Sequence, residues 1–171
     1  MIEQAWILIG MMGVGKSTVG SILAEQTGRM HQDTDRLLTH RLGRPIPQLF
    51  QIFGEATFRD HETAILKSLE PGAFVISTGG GIVLREQNWE EMRRLGTTIF
   101  LDVPVDVLID RLERSKKRRP LLQGEGMEDK VRTILEARMP LYRQADVRVD
   151  LGDLDAKEGA TLVLAAMGVE L

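Results

Sequence analysis

Residues 10–18 read GMMGVGKST, between the apolar run AWILI at 5–9 and a stretch of helical spacing, VGSILAEQTG, at 19–28. A glycine loop therefore joins a buried strand to a helix. It matches G-x-x-x-x-G-K-[ST], with Gly10, Gly15, Lys16 and Ser17 at the fixed positions. Glycines let a backbone take positive φ and bring its N–H groups close to an anion. Successive N–H groups form a concave nest, and a helix starting near Lys16 turns the positive end of its dipole into it. Lys16 then reaches the β and γ phosphates, and the Ser17 hydroxyl takes a place on Mg²⁺. A glycine-rich turn with an accidental lysine is the competing reading, disfavoured by the strand and helix on either side. The loop predicts a nucleoside triphosphate site but does not separate a kinase from a switch or a motor.

Size and composition narrow the choice. With 171 residues, one domain with a substantial core is expected. Hydrophobic residues at 43% exclude a disordered or collagen-like chain, and a net charge of −3 offers no field for wrapping nucleic acid. The chain has 0 cysteines, which removes disulfides, thiolate metal sites and cysteine nucleophiles and suits a reducing cytosol. The start MIEQAWILIG lacks the basic and long apolar parts of a signal peptide, and no apolar run approaches the ~20 residues of a membrane span. A soluble, cytoplasmic monomer is expected, with small-molecule partners and neither nucleic acid nor membrane. Motors need more chain than this. A GTPase switch needs a guanine-reading Asn-Lys-x-Asp segment, which is absent. Small P-loop kinases remain.

Strand and helix signals alternate along the chain. Gly28 reads as a helix stop, RMHQDTD as a strand ending near Asp33, and TDRLLTHRLG as a helix closed by Gly43. RPIPQLFQIFG and EATFRDHETAILKSL read as two successive helices, the first with Pro47 near its first turn. AFVIST is a strand running into Gly79, Gly80 and Gly81. A helix stopped by Gly96, the strand TTIFLDV and a helix opened by Pro104 follow. KKRRPLLQGEGM breaks all periodicity and reads as a mobile loop. EDKVRTILEAR is helical, MPLYRQA stands apart from it, and VRVDL and DAKEGATLVLAAM give a last strand and helix. The strands are read as short and apolar on both faces, which predicts an α/β fold with a parallel sheet covered on both sides. Ligands in such a fold bind beyond the carboxyl ends of the strands.

Four further clusters fall at that side. In DTD, Asp33 and Asp35 alternate at a strand end. Helix capping explains one of them, and a metal-facing Asp33 beside a hydroxyl-binding Asp35 explains both. In FGEATFRDHE, Arg59 lies on a largely buried helix and needs a partner, either Glu62 or a ligand carboxylate held bidentately. STGGG exposes N–H groups with no side chains, suited to a small polar substrate. RSKKRRPLL, with ARMPLYR after it, is a solvated basic face, a local nucleic-acid patch or a lid whose Arg119 closes over phosphates.

Together GMMGVGKST, DTD, FGEATFRDHE, STGGG, RRPLL and RMPLYR resemble one family, the shikimate kinases, across nearly the whole chain. The resemblance implies a three-layer α/β/α P-loop kinase fold, with a five-stranded parallel sheet in order 2-3-1-4-5. It implies a lid at about 114–126 and a substrate-binding helical region at about 34–62. Gly13, Val14, Gly15, Lys16, Ser17 and Thr18 would hold the phosphates of ATP. Ser17 would stand on Mg²⁺, with Asp33 in the metal's outer shell through water. Asp35 would bind shikimate hydroxyls, Arg59 and Arg138 would hold its carboxylate, and Gly80 would add a backbone contact. Arg119 would be the lid arginine that meets ATP, and Lys16, Asp35 and Arg119 would form the catalytic set. The implied reaction is phosphorylation of the 3-hydroxyl of shikimate. A kinase of gluconate or of a nucleoside monophosphate, and a non-catalytic nucleotide-binding module, are the alternatives.

Overall fold

The computed structural model describes residues 3–170. In chain order the elements are β1 (Ala5–Ile9), α1 (Lys16–Thr27), β2 (Met30–Asp33), α2 (Thr34–Leu42), α3 (Ile46–Ser68) and β3 (Phe74–Ser77). Then come α4 (Glu86–Leu95), β4 (Gly96–Asp102), α5 (Val105–Arg114), α6 (Met127–Tyr142), β5 (Val147–Asp150) and α7 (Ala156–Ala166). The sheet has five strands in order β2-β3-β1-β4-β5, every pair parallel, as the resemblance implied. From β1 the chain runs outward through α1 to β2, and from β3 it crosses over β1 to β4. Chain connections therefore diverge around β1, and the crevice beyond the carboxyl ends opens there.

The interior strands obey the apolar pattern. All five residues of β1 are buried, and Val75, Ile76, Ile99, Phe100 and Leu101 flank it in β3 and β4. The edge strands do not: β2 is MHQD and β5 is VRVD. The expectation that every strand is apolar on both faces is corrected accordingly. An edge strand has one neighbour and is covered unevenly: Arg148 and Asp150 of β5 are exposed, whereas in β2 it is Met30 that is exposed and His31 is half-buried, its pKa lowered by burial. Most buried residues form one cluster around the sheet, from Ile7 and Leu23 to Tyr142 and Val163. A second, small cluster of Leu38, Leu49, Phe58 and Ile65 joins α2 to α3.

Helix ends follow the punctuation read from the sequence. Gly28 and Gly43 close α1 and α2 in the left-handed region, at φ 70 and 68. The two helices expected between 45 and 69 are both present, carried in α3 on either side of a break at Gly54, where φ is 75 and ψ 171. The region 127–142 departs from expectation, because α6 continues through Pro140 to Tyr142. Proline removes the link to the carbonyl four residues earlier and crowds that carbonyl, yet the next turn closes when the Arg143 amide donates to Met139 at 3.0 Å. Fully buried Tyr142 anchors that turn in the core.

At Gly54, an added Cβ would meet nothing within 4 Å, so any penalty for a side chain is conformational. Its φ/ψ lies in a region other residues scarcely visit. Gly54→Ala should therefore lower stability by roughly 1–3 kcal/mol. A shifted denaturant midpoint at unchanged slope is the expected signature.

Candidate active site

The phosphate loop begins where β1 ends. Gly15 precedes α1 at φ 97, with no side chain capping the helix, so the first amides of α1 face the crevice. Ser17 and Thr18 lie exposed on that first turn, while Val14 turns its side chain into the core and leaves only its backbone to the loop. The Lys16 ammonium donates to the carbonyls of Gly10 at 2.6 Å and Met11 at 3.0 Å, and the residue is 8% exposed. Burial pulls its pKa from 10.5 down to about 7; Asp35 opposes the change, and Arg138 and Arg119 reinforce it.

Asp33 serves two structures at once. Its Oδ2 accepts from the Ser17 hydroxyl, and its Oδ1 accepts from the amides of Asp35 at 3.0 Å and Arg36 at 3.2 Å, capping α2. The capping and metal-facing readings thus use different oxygens of one carboxylate. Capping also places Asp35 in the first turn of α2, on the cleft. Burial raises the Asp35 pKa, and nearby Asp33 raises it further, against Lys117, Lys16 and Arg59.

Across the crevice, the glycine triplet is a space as much as a loop. A Cβ at Gly79 would lie 2.9 Å from Glu62 Oε2 and 3.0 Å from Asp35 Oδ1. At Gly80 it would lie 3.4 Å from Arg138 Nη1, and at Gly81 it would overlap the Arg59 guanidinium outright. Four ionisable side chains from α2, α3 and α6 therefore converge where the triplet has none. Arg59 bonds Glu62 at 2.6 Å and reaches Glu55 at 3.4 Å, so the local ion pair is present. It does not exhaust the donors. Arg59 Nε, Arg138 Nη1, Arg119 Nη1 and Glu62 Oε2 are all buried without a protein partner. Burial raises the Glu62 pKa in spite of Arg59. These groups and the phosphate loop line one cleft of about 980 Å³.

The predicted site residues are thus brought together. Arg119 comes from an irregular stretch following α5 and is half-buried at the cleft. Sequence reading overlooked three contributors. Lys117 lines the cleft beside Arg119. Arg111 links the phosphate loop to the C-terminal region through the carbonyls of Val14 at 3.2 Å and Leu154 at 3.1 Å. Tyr142 donates to the Gly80 carbonyl at 2.7 Å. The Tyr142 signal was present, inside RMPLYR, but nothing local shows what its hydroxyl meets.

A parallel sheet in this order, with a phosphate loop, a basic cover and an anion-seeking pocket, defines a small-molecule P-loop kinase. The shikimate kinase family model matches residues 12–167, and the chain belongs to that family. It is 44% identical to the shikimate kinase of Microcystis aeruginosa over 149 residues, 86% of this chain and 77% of that protein. To that of Thermodesulfovibrio yellowstonii it is 37% identical over 159 residues, 92% and 91% of the two chains. The structure of Acinetobacter baumannii shikimate kinase in complex with shikimate superposes with a TM-score of 0.92 at 37% identity, covering 96% of this chain and 93% of that one. A gluconokinase from Sinorhizobium meliloti, at 18% identity and a TM-score of 0.51, shares the fold alone.

The depressed Lys16 pKa has a measurable consequence. Lys16 is neutral in the free protein above pH 7 and charged in the unfolded chain up to about 10.5, so unfolding takes up a proton and stability rises with pH across that window. A phosphate brought to the ammonium favours its charged form. ATP binding should therefore take up a proton, and its affinity should fall as pH rises, by at most about tenfold per unit. Calorimetry in buffers of different ionisation enthalpy, at roughly pH 8 to 9 where ATP itself is fully ionised, reads the uptake directly. Lys16→Met should abolish it.

Proposed function

We propose that the protein transfers the γ-phosphate of ATP to the 3-hydroxyl of shikimate, giving shikimate 3-phosphate and ADP. The observation that carries this reading is a pair of buried guanidinium groups with donors to spare. Arg138 is 5% exposed and Arg59 6%, and both keep an unpartnered buried N–H. A buried cation short of partners is unfavourable by several kcal/mol, and an anionic ligand removes that penalty. A carboxylate matches the planar fork of each arginine, which a hydroxylated but uncharged acceptor would not.

The roles follow from chemistry. Arg59, Arg138 and the Gly80 amide hold the carboxylate, which fixes the ring and presents one hydroxyl to Asp35. Asp35 orients that hydroxyl and takes its proton as the bond to phosphorus forms. The amides from Gly13 to Thr18 cradle the phosphates. Lys16 leaves its two carbonyl acceptors to meet the transferring group, and Arg119 offsets charge there from the other side. The exposed Ser17 hydroxyl and the Asp33 carboxylate are hard oxygen donors in contact at the loop, which suits Mg²⁺ held mainly by phosphates and water. When bound, Mg²⁺ neutralises phosphate charge and fixes phosphate geometry. Among the described residues no cluster of three or more His, Asp or Glu side chains could hold a metal by itself, which fits a metal that arrives with its nucleotide.

This reading makes residues 114–126 a lid and 34–62 an acceptor-binding region, the latter supported by its separate small core. It also takes the protein as a cytoplasmic monomer. Among the described residues no helix is long and apolar enough to cross a membrane.

ADP release measured against a panel of acceptors tests the assignment: shikimate should turn over, while gluconate and nucleoside monophosphates should not. Arg59→Lys or Arg138→Lys should reduce kcat/KM for shikimate tens- to thousands-fold, the effect of roughly 2–5 kcal/mol, and spare ATP binding. An analogue lacking the carboxylate should be poor for the parent and lose far less in either variant, since both changes remove one contact. If that analogue matched shikimate in the parent, the arginines would be structural. The lid makes its own expectation. ATP and shikimate together should protect residues 114–126 from proteolysis, and Arg119→Ala should act chiefly on kcat.

A further inference from the structure

We propose that Tyr142 is a positioning residue for the acceptor, its buried hydroxyl orienting the Gly80–Gly81 peptide so that the Gly81 N–H joins the adjacent Gly80 amide at the acceptor's carboxylate; this rests on the acceptor reading above. Three glycines in succession have no side chains to select a backbone orientation, and each has more freedom to lose than any other residue. The ends of the segment are tied. Thr78 Oγ1 donates to the Leu8 carbonyl at 2.7 Å, the Gly79 amide donates to Thr34 Oγ1 at 3.2 Å, and the Ile82 amide returns to the Gly79 carbonyl at 3.1 Å. Between them, the Gly80–Gly81 peptide has one partner among the described residues, the Tyr142 hydroxyl at 2.7 Å from its carbonyl.

That single bond decides two directions. A trans peptide is planar, so its C=O and N–H point opposite ways. Holding the Gly80 carbonyl toward Tyr142 turns the Gly81 N–H away from it. Neither that amide nor the Gly80 amide donates to an acceptor among the described residues. The hydroxyl has one proton, and the alternative acceptor, Met11 sulfur at 4.0 Å, is both distant and weak. Burial raises the Tyr142 pKa against the opposing pull of Arg138 beside the hydroxyl and of Arg59, so the proton stays in place to be donated. The ring is stacked on Phe100, with centroids 5.1 Å apart and planes 11° from parallel, which leaves the hydroxyl little freedom of its own.

Tyr142 also stands four residues beyond Arg138 on α6, on the same side of the helix. Arg138 Nη1 would lie 3.4 Å from a Cβ at Gly80. One helix face thus supplies both a guanidinium for the carboxylate and the hydroxyl that sets the adjoining peptide. Any drift of α6 moves the two together, so their mutual geometry is preserved.

The experiment compares three variants at matched stability. Tyr142→Phe should raise KM for shikimate about tenfold, because the carbonyl is left without its donor and the peptide is free to rotate. KM for ATP should stay within about twofold, and an analogue lacking the carboxylate should be nearly unaffected. Phe100→Leu removes the stacking but keeps the hydroxyl; if it raises KM for shikimate as much as Tyr142→Phe does, ring packing is responsible and the proposal is overturned. Arg138→Lys is the reference. If it raises KM for shikimate while Tyr142→Phe does not, the positioning role fails and the acceptor reading survives. If Arg138→Lys has no effect, both fall. A second measurement needs no variant. The chain contains 1 tyrosine, so growth on 3-fluorotyrosine labels position 142 alone. Its fluorine resonance should move on saturation with shikimate and stay still with the analogue lacking the carboxylate. An unmoved resonance in saturating shikimate overturns the proposal even where Tyr142→Phe does not fold.

Discussion

The carboxyl end of β3 has to be free of side chains because charged groups from three helices meet there. The Arg59 guanidinium fills the volume that a Cβ at Gly81 would need. That contact fixes where the second half of α3 can lie, and much else is arranged to keep it so. Phe58, next to Arg59, is buried in the small cluster with Leu38 and Leu49. One turn on, the Thr63 hydroxyl lies 3.1 Å from the Arg59 carbonyl and donates its proton to the closer Asn88 Oδ1. Asn88 of α4 stands 2.8 Å from Thr63 and donates to the Ile82 carbonyl at 2.8 Å, so α3, α4 and the turn after the triplet share one buried polar link. The break at Gly54 lets the first half of α3 turn aside, while the second half keeps this course.

Such an arrangement is not built for stability. A buried ion pair such as Arg59–Glu62 typically does no better than well-packed apolar groups of the same volume, whereas breaking it strands a charge at about 3–5 kcal/mol. Glu62 neutralises one guanidinium, and Arg138 beside it has no carboxylate in contact among the described residues. The fold tolerates this excess because the sheet interior is uniformly apolar, with β1 buried along its whole length between β3 and β4. Stability resides at the centre of the sheet, and the strain of unpaired charge is confined to one end of it. That division is what a ligand site at the carboxyl edge requires.

What could be read from the amino-acid order follows the range of each interaction. The phosphate loop was legible because strand, glycines, lysine and helix are contiguous, and the helix stops at Gly28 and Gly43 were legible because a left-handed cap is a local event. Asp33 was half legible: capping is local, but its contact with Ser17 closes over sixteen residues. The convergence of Arg59 and Arg138 depends on how α3 and α6 pack over the triplet, and no spacing encodes that; it entered through resemblance to a family. Tyr142 escaped for the same reason. The polar edge strands and the passage of α6 through Pro140 were missed because propensity describes a segment alone. An edge position and a buried anchor are set by neighbours.

The two halves of the site also act on each other through Lys16. Desolvation dominates the fall in its pKa, but Arg138 and Arg119 contribute by repulsion across the cleft. On the proposed acceptor reading, a carboxylate on Arg138 would offset part of that repulsion and raise the charged fraction of Lys16, strengthening its hold on phosphate. By reciprocity, phosphate at Lys16 strengthens the hold on the acceptor carboxylate by the same factor; direct repulsion between the two anions opposes both equally, and the net coupling is the difference. Because repulsion from Arg138 is secondary to burial, its relief is a modest effect, and it grows only where Lys16 is partly neutral, near and above pH 7. On the proposed reading, the cations that lower the Lys16 pKa would thus tie binding at the acceptor side to the protonation of the lysine at the phosphate loop.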